Sequence, residues 1–139
     1  MASDNAKSDQ GRDIKNVADR FLRAFDNADL ATMRQLLADD VVAYITGADG
    51  EETRVAGADN YLAAIAAMNL PAVDYSVTTT GAPVLVDPDR LLVMVEVRAA
   101  RGDRTLHNFA AHLLRVRDGR ITQMQMVDAK PAESDAFWA

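Results

Sequence analysis

The chain has 139 residues, of which 49% are hydrophobic, and this fits one globular domain with a real core rather than a disordered chain. Its formal net charge of −6 disfavours nucleic acid and anionic membranes as partners, because both require a basic surface. The absence of cysteine excludes disulfides and thiolate chemistry and agrees with a cytoplasmic location.

The two ends of the chain are expected to be tails on a single domain over residues 13–128. Residues 1–12 are polar and lack the apolar segment of a secretory signal, which predicts a disordered N-terminal tail. Residues 129–139 contain Phe137 and Trp138, whose apolar rings predict that this tail packs on the domain or on a partner subunit. No apolar run approaches the roughly 20 residues that span a bilayer, so no membrane partner is expected.

Three helices are predicted in the first half of the chain. The first follows the expected cap Asp13 and has an apolar face of Ile14, Val17, Ala18, Phe21, Leu22 and Phe25. Asp29 is the expected cap of a short second helix with Leu30, Met33, Leu36 and Leu37. Gly57 and Asp59 open an alanine-rich third helix over residues 61–68, and Pro71 ends it.

Strands are predicted around and after these helices. Gly102-Asp103 and Asp118-Gly119 are residue pairs typical of two-residue hairpin loops, and each lies between long alternating segments. The predicted strands cover residues 41–46, 73–79, 84–86, 91–101, 104–117 and 120–127. Helices near the start and an antiparallel meander at the end predict an α+β fold, with helices packed on one face of the sheet.

The two turns predict the register of the last three strands. Counting back from them pairs Arg98 with His107, Glu96 with Phe109, and Phe109 with Asp128. Because side chains alternate, one face is expected to carry Met94, Glu96, Arg98, His107, Phe109, Ala111, Leu113, Met124, Met126 and Asp128. Ionisable groups among apolar residues on one face predict a pocket, unless a β-bulge moves part of a strand to the other face.

The other face of this predicted sheet is strongly apolar. It would point outward and carry Val93, Val95, Val97, Leu106, Ala110, Leu114 and Ile121, with His112, Asn108, Gln123 and Gln125 as polar contacts. So large an apolar patch is unusual on a monomer. It therefore predicts a homodimer through the outer face of the sheet.

His107 and Asp128 are the candidate catalytic residues. Asp128 follows two methionines, so its pKa is expected to be raised, and a diagonal His107 could relay the proton. Arg98 could hold a ligand oxygen, with Glu96 on the far side of Phe109. Asp128 could equally bind loop amides, His107 could lie on an exposed rim, and Glu96 and Arg98 could form a surface ion pair. An adaptable apolar wall is expected from Met94, Met124 and Met126.

The sequence predicts neither a metal site nor a cofactor. Its two histidines are expected on opposite faces, and it contains no HxH or HExxH motif. It also lacks the glycine-rich phosphate loops and the GxSxG nucleophile motif.

Three segments resemble the nuclear transport factor 2-like superfamily, in particular its SnoaL-like and ketosteroid isomerase-like branch. They are residues 21–30 (FLRAFDNADL), 37–42 (LADDVV) and 112–121 (HLLRVRDGRI), which look like the first helix, the entry to the first strand and the last hairpin. The resemblance covers about residues 13 to 128. It implies a cone-shaped, curved, antiparallel to mixed sheet wrapped around three N-terminal helices.

The resemblance does not carry over the activity of a ketosteroid isomerase. That enzyme's oxyanion tyrosine, general-base aspartate and protonated aspartate align with Phe21, Ile45 and Ala111, none of which can act in their place. These residues are instead expected to line the pocket, and steroid isomerisation is expected to be absent.

Two functions remain open at this stage. One is a cofactor-free isomerase, cyclase or (de)hydratase acting on a small apolar carbonyl compound, as the resemblance implies. The other is a non-catalytic module that binds a small apolar ligand or another protein. A shared fold does not decide between them.

Overall fold

The computed structural model describes residues 2–139, and the side chains of residues 10–139. Its helices are α1 (Ala2–Asp26), α2 (Leu30–Leu36), α3 (Ala58–Ala67) and α4 (Pro131–Trp138), with a short 3-10 helix at Leu70–Ala72. Its strands are β1 (Leu37–Thr46), β2 (Glu52–Ala56), β3 (Asp74–Thr79), β4 (Val84–Asp87), β5 (Arg90–Arg101), β6 (Arg104–Arg117) and β7 (Arg120–Asp128).

The strands form one curved, unclosed sheet in the order β2-β1-β7-β6-β5-β3, and β4 also pairs with β5. β1 and β7 run parallel, and the other neighbouring strands run antiparallel, so the sheet is mixed. The expected α+β architecture, with a curved mixed sheet around three N-terminal helices, is confirmed.

The predicted apolar faces of the helices form the core under this sheet. Phe21 of α1 and Met33 of α2 are 1% and 0% exposed, and Tyr61 and Ile65 of α3 are also buried. Asp29 caps α2 as predicted, because its Oδ1 accepts a hydrogen bond from the Thr32 amide at 3.1 Å. Among the described residues, no helix is long and apolar enough to cross a membrane.

The start of the first helix differs from the expectation, and one edge strand was not predicted. α1 begins at Ala2, so Asp13 lies inside the helix, and residues 2–12 are helical rather than a disordered tail. This stretch contains no proline, and its single glycine, Gly11, weakens a helix by about 1 kcal/mol relative to alanine without ending it. The segment Glu52–Ala56 forms an exposed edge strand beside β1, although its polar sequence shows no clear alternation.

The two predicted hairpin turns are confirmed. Gly102 has a φ of 63°, and Asp118 and Gly119 have φ values of 52° and 76°. A positive φ at both central residues is typical of the type I′ turn that Asp-Gly favours. Between β5 and β6 the predicted register is also correct, since Glu96 pairs with Phe109 and Arg98 pairs with His107.

The predicted register between β6 and β7 is wrong because of a β-bulge. Val116 pairs with Ile121, but the next pair is Arg115 with Gln123, so Thr122 has no partner on β6. Every later pairing is displaced by one residue, and Asp128 pairs with Ala110 instead of Phe109. Because of this one extra residue, the side chains of β7 beyond the bulge point to the opposite face of the sheet from the one that the regular register predicts.

The structure also reverses the predicted inner and outer faces of β5 and β6. The residues expected on an outer dimer surface instead face the helices: Val93, Val95, Leu106, Ala110, Leu114 and Ile121 are each at most 5% exposed, and Val97 is partly buried. The hairpin turns determine which residues pair but not which face meets the helices. The valines bury more favourably than a face carrying Glu96 and Arg98.

The proposed dimer surface must therefore be revised. The outer face carries Met94, Phe109 and Val127, which are 55%, 38% and 51% exposed. Homodimerisation stays a prediction, and these residues would now be its apolar contacts.

The C-terminal segment forms α4 and packs on the sheet. Pro131 is its first residue, a position where the missing amide hydrogen costs nothing. Phe137 is 4% exposed in a small cluster with Val73, Ala99 and Leu106. Arg101 lies 5.5 Å from the centre of the Phe137 ring and donates a hydrogen bond to the Phe137 carbonyl at 2.7 Å.

Deleting Thr122 should leave a folded protein, because the other pairings of β6 and β7 are kept once the unpaired residue is gone. Deleting Gln125 should lower the melting temperature by at least about 5 °C more than deleting Thr122 does, because it turns Met126 outward. Thermal unfolding followed by circular dichroism compares the two deletions. Equal losses would contradict the assigned bulge.

Phe137→Ala should lower the free energy of unfolding by about 3 kcal/mol, because it empties a buried site between α4 and the sheet. Val86→Ala is the control: Val86 is 49% exposed on β4, and its truncation should change stability by about 0.5 kcal/mol at most. Urea denaturation measures both variants. A Phe137→Ala effect no larger than the control would show that α4 is not docked.

Candidate functional site

A cavity of about 760 Å³ opens at one end of the sheet. Its walls come from the end of β1 and the following loop, from β2, α3 and β3, from the inner face of β5, β6 and β7, and from α4. This volume lies within the range of small-molecule sites in proteins. The lining residues discussed below are Ile45, Asp49, Tyr61, Ile65, Met68, Tyr75, Val97, Leu106, Asn108, Met126, Asp128, Ser134, Asp135 and Trp138.

Asp128 is the carboxylate of this cavity whose chemistry is most altered by its surroundings. It is the last residue of β7, and the bulge at Thr122 directs its side chain inward together with Met126. Burial raises the pKa of Asp128, and the charge of Asp135 raises it further, while a hydrogen bond with Ser134 acts in the opposite direction. A carboxyl group with a raised pKa is a candidate general acid or base.

Two tyrosines bring hydroxyl groups to the same cavity. Tyr61 is 6% exposed, and Tyr75 lies beside Trp138 with 6.0 Å between ring centres. Burial raises the pKa of both tyrosines, so their hydroxyls keep their protons throughout the physiological pH range. Neither hydroxyl hydrogen-bonds to another residue in the described part of the chain, so both can bind a ligand.

Asn108 holds the segment that follows β7. Its side chain is 2% exposed, and its Oδ1 accepts hydrogen bonds from the amides of Phe109 and Lys130 at 2.9 and 3.0 Å. Its Nδ2 donates to the Lys130 carbonyl at 3.3 Å. Asn108 was expected as a polar contact on the outer face, but it fixes the chain between Asp128 and α4 from inside.

The predicted site residues are divided between the two faces of the sheet. Ile45, Met126 and Asp128 line the cavity, as predicted. Phe21 and Met124 lie deeper, at 1% and 3% exposure, and belong to the core rather than to the cavity wall. Phe21 still supports the site indirectly, because its ring lies 6.4 Å from that of Tyr61.

The remaining predicted residues lie on the outer face: Met94, Glu96, Arg98, His107, Phe109 and Ala111. His107 and Asp128 are therefore on opposite faces, and the predicted catalytic pair is wrong. Ala111 lies between Met94 and Val127, so the expectation that it lines the pocket is also wrong. The face reversal places His107 and Ala111 outside, and the bulge at Thr122 separates Asp128 from them by turning it inward.

The outer-face groups form a surface ion-pair cluster, one of the alternatives considered for them. Oε2 of Glu96 lies 2.6 Å from Nε2 of His107 and 3.1 Å from Nη2 of Arg98. The hydrogen bond with His107, and then the charge of Arg98, lower the pKa of Glu96. Exposed ion pairs of this kind contribute little to stability.

The other histidine, His112, lies on the inner face of the sheet between Val93 and Met126. Burial lowers its pKa to about 4, so the ring is neutral near pH 7. It does not line the cavity. Within the described residues, no three histidine or acidic side chains are grouped so that they could hold a metal ion.

Sequence patterns identified only part of this cavity. Trp138 and Tyr75 had a signal, one in the apolar C-terminal pair and the other in the alternation of β3. Asp49 and Asp135 had none, because one lies in a loop and the other in a helix that no periodicity predicts. Tyr61 was assigned to α3, but nothing in the sequence indicated that α3 borders the cavity.

Residues 18–124 match the SnoaL-like domain family. The chain belongs to this family. It is 32% identical over 121 residues to the uncharacterised protein Rv0034 of Mycobacterium tuberculosis, with 86% of this chain and 92% of the relative aligned. A Mycobacterium bovis protein, also uncharacterised, matches to the same extent.

Solved structures resemble this fold at low sequence identity. Bal32a, from a soil-derived mobile gene cassette, has a TM-score of 0.81 at 15% identity, covering 94% of this chain and 99% of its own. An LEH-like epoxide hydrolase from Mycobacterium tuberculosis has a TM-score of 0.73 at 20% identity, covering 88% of each chain. A protein of unknown function from Xanthomonas campestris, with a cystatin-like fold, has a TM-score of 0.77 at 20% identity, covering 91% and 98%. These similarities establish the fold alone.

Proposed function

We propose that this SnoaL-like protein binds a small apolar carbonyl compound in the cavity and moves a proton on it without a cofactor. The reaction would be an isomerisation, cyclisation, hydration or dehydration. The observation that carries the proposal is Asp128, a half-buried carboxyl group with a raised pKa in a largely apolar and aromatic cavity. The family match supports the class of protein but not the substrate.

Asp128 would act as the general base. In its ionised form, it would take a proton from the carbon next to the carbonyl group, and the electron pair of that C–H bond would move toward the carbonyl oxygen. A carboxylate in apolar surroundings is poorly solvated and its pKa is raised, which strengthens it as a base. Returning the proton to another carbon, or losing a leaving group, would complete the reaction.

A tyrosine hydroxyl would stabilise the negative charge that develops on the substrate oxygen. Tyr61 and Tyr75 line the same cavity as Asp128, and their hydroxyls are protonated and have no partner among the described residues. A donor that is already in place, in a site with little water, stabilises such charge strongly. The apolar walls of Ile65 and Met126 would hold the body of the substrate.

We still expect that the protein does not catalyse steroid isomerisation. The support for this expectation now comes from Phe21 and Ile45, which cannot replace the tyrosine and aspartate expected at those positions. Ala111 no longer contributes, because it lies on the outer face. The proposed site has its carboxyl group at the end of β7 instead.

The proposal can be tested with 5-nitro-1,2-benzisoxazole, a small apolar probe whose ring opens when a base removes one proton. The protein should accelerate this reaction, and Asp128→Asn should lower kcat/KM by about 100-fold, because an amide cannot accept the proton. The rate should rise with pH as Asp128 loses its proton. Asp103→Asn, in the turn between β5 and β6, is the matched control and should leave the rate unchanged.

Asp128→Asn should also raise the melting temperature at pH 7. A carboxyl group whose pKa is higher in the folded state favours folding when protonated, and this contribution is lost as pH rises through the raised pKa. The substitution removes the buried charge at neutral pH. An active or destabilised Asp128→Asn variant would contradict the proposed base, and ligand binding without any turnover would favour the non-catalytic alternative.

A further inference from the structure

We infer that the ligand of this cavity carries a positive charge, and that the site fits a small apolar molecule bearing an ammonium group. This inference names a substrate class for the site described under the proposed function and rests on that proposal only for the choice of cavity. It follows from the charges, the aromatic rings and an unpaired hydroxyl in the cavity wall.

The charged side chains that line this cavity are all acidic. The carboxylates of Asp49, Asp128 and Asp135 line it, and no lysine, arginine or histidine is among its lining residues. Asp135 already raises the pKa of Asp128, so their charges repel each other across the site. A cation placed near them would relieve this repulsion, whereas a carboxylate or phosphate would increase it.

The wall also contains aromatic rings that favour a cation. Tyr75 and Trp138 lie 6.0 Å apart at an interplanar angle of 67°, and both line the cavity together with Tyr61. The faces of such rings attract alkylammonium groups. An apolar wall with carboxylates and aromatic rings therefore suits an amine better than a neutral or anionic molecule.

The hydroxyl of Tyr61 is available to a ligand in the cavity. Its side chain is 6% exposed and lines the cavity, yet the hydroxyl has no hydrogen-bond partner in the described part of the chain. In the described part of the chain, the only buried side-chain atom without a hydrogen-bond partner is Nε of Arg115, so the Tyr61 hydroxyl is accessible from the cavity rather than orphaned. The Tyr61 oxygen could accept a hydrogen bond from an N–H group of a bound amine.

The exposed carboxylates of the cavity are placed to bind the ammonium group, and the half-buried one is placed to transfer a proton. Asp49 and Asp135 are exposed, while Asp128 is half-buried. Oδ2 of Asp135 accepts only a long hydrogen bond of 3.4 Å from the Ala48 amide, which joins the loop after β1 to α4. The ammonium group would lie between these exposed carboxylates, with the apolar body pointing inward, and Asp128 would stay free to exchange a proton.

The test compares probes of the same shape and different charge. Benzyltrimethylammonium, its neutral carbon isostere neopentylbenzene and the anion phenylacetate are titrated into the full-length protein. Trp138 is the only tryptophan in the chain and lines the cavity, so its fluorescence reports binding directly. The cation should bind at least about tenfold more tightly than the isostere, and phenylacetate more weakly than either.

Single substitutions test whether the carboxylates cause the preference for the cation. Asp49→Asn and Asp135→Asn should each weaken binding of the cation several-fold and leave binding of neopentylbenzene unchanged, while Asp103→Asn should change neither. Added sodium chloride should weaken the binding of the cation and leave the binding of neopentylbenzene unchanged.

Equal or tighter binding of the neutral isostere, or no binding of the cation, would overturn the inference. If Asp128→Asn still abolished benzisoxazole opening in that case, the proposed function would stand without it. A cation preference in a protein that does not open benzisoxazole would support the ligand class and remove the proposed chemistry.

Discussion

The β-bulge at Thr122 is the constraint on which the site depends. It adds one residue to β7 and so turns Met124, Met126 and Asp128 toward the helices, where a regular hairpin would have turned them outward. A bulge costs one unpaired residue but redirects every side chain beyond it. Here it brings a carboxyl group into an apolar cavity, which is the physical origin of its raised pKa.

The C-terminal helix α4 completes the wall of the cavity into which the bulge directs Asp128. Asn108 fixes the connection after β7 through the backbone of Lys130, and Phe137 anchors α4 in its own apolar cluster. With α4 held in this way, Ser134, Asp135 and Trp138 form one wall of the cavity. A change in the docking of α4 would therefore alter both the size of the cavity and the charge around Asp128.

Much of the fold could be predicted from the sequence because its signals are local. The periodicity around Phe21, the cap at Asp29 and the Asp118-Gly119 turn each determine a structure within a few residues. The pairing of Glu96 with Phe109 also followed from a turn. The bulge could not be predicted, because Thr122 is an ordinary strand residue and the register shift depends on how β6 and β7 bury their side chains together.

Which face of the sheet meets the helices could not be predicted either, because it depends on tertiary packing. Alternation separates Val95 from Glu96 but does not say which of them meets the helices, and the burial of a continuous row of valines decided it. Asp128 was identified from sequence because its neighbouring methionines mark an inward strand. His107 was assigned by a register argument that a single unpaired residue invalidated.

The most direct test of this account is the titration of the Asp128 carboxyl carbon, followed by carbon NMR and assigned by its loss in Asp128→Asn. The account predicts a midpoint above the ordinary aspartate value of about 3.9, which falls toward that value in Asp135→Asn. A midpoint at or below the ordinary value would show that Asp128 lies in water, and would contradict the placement of this carboxyl group inside the cavity.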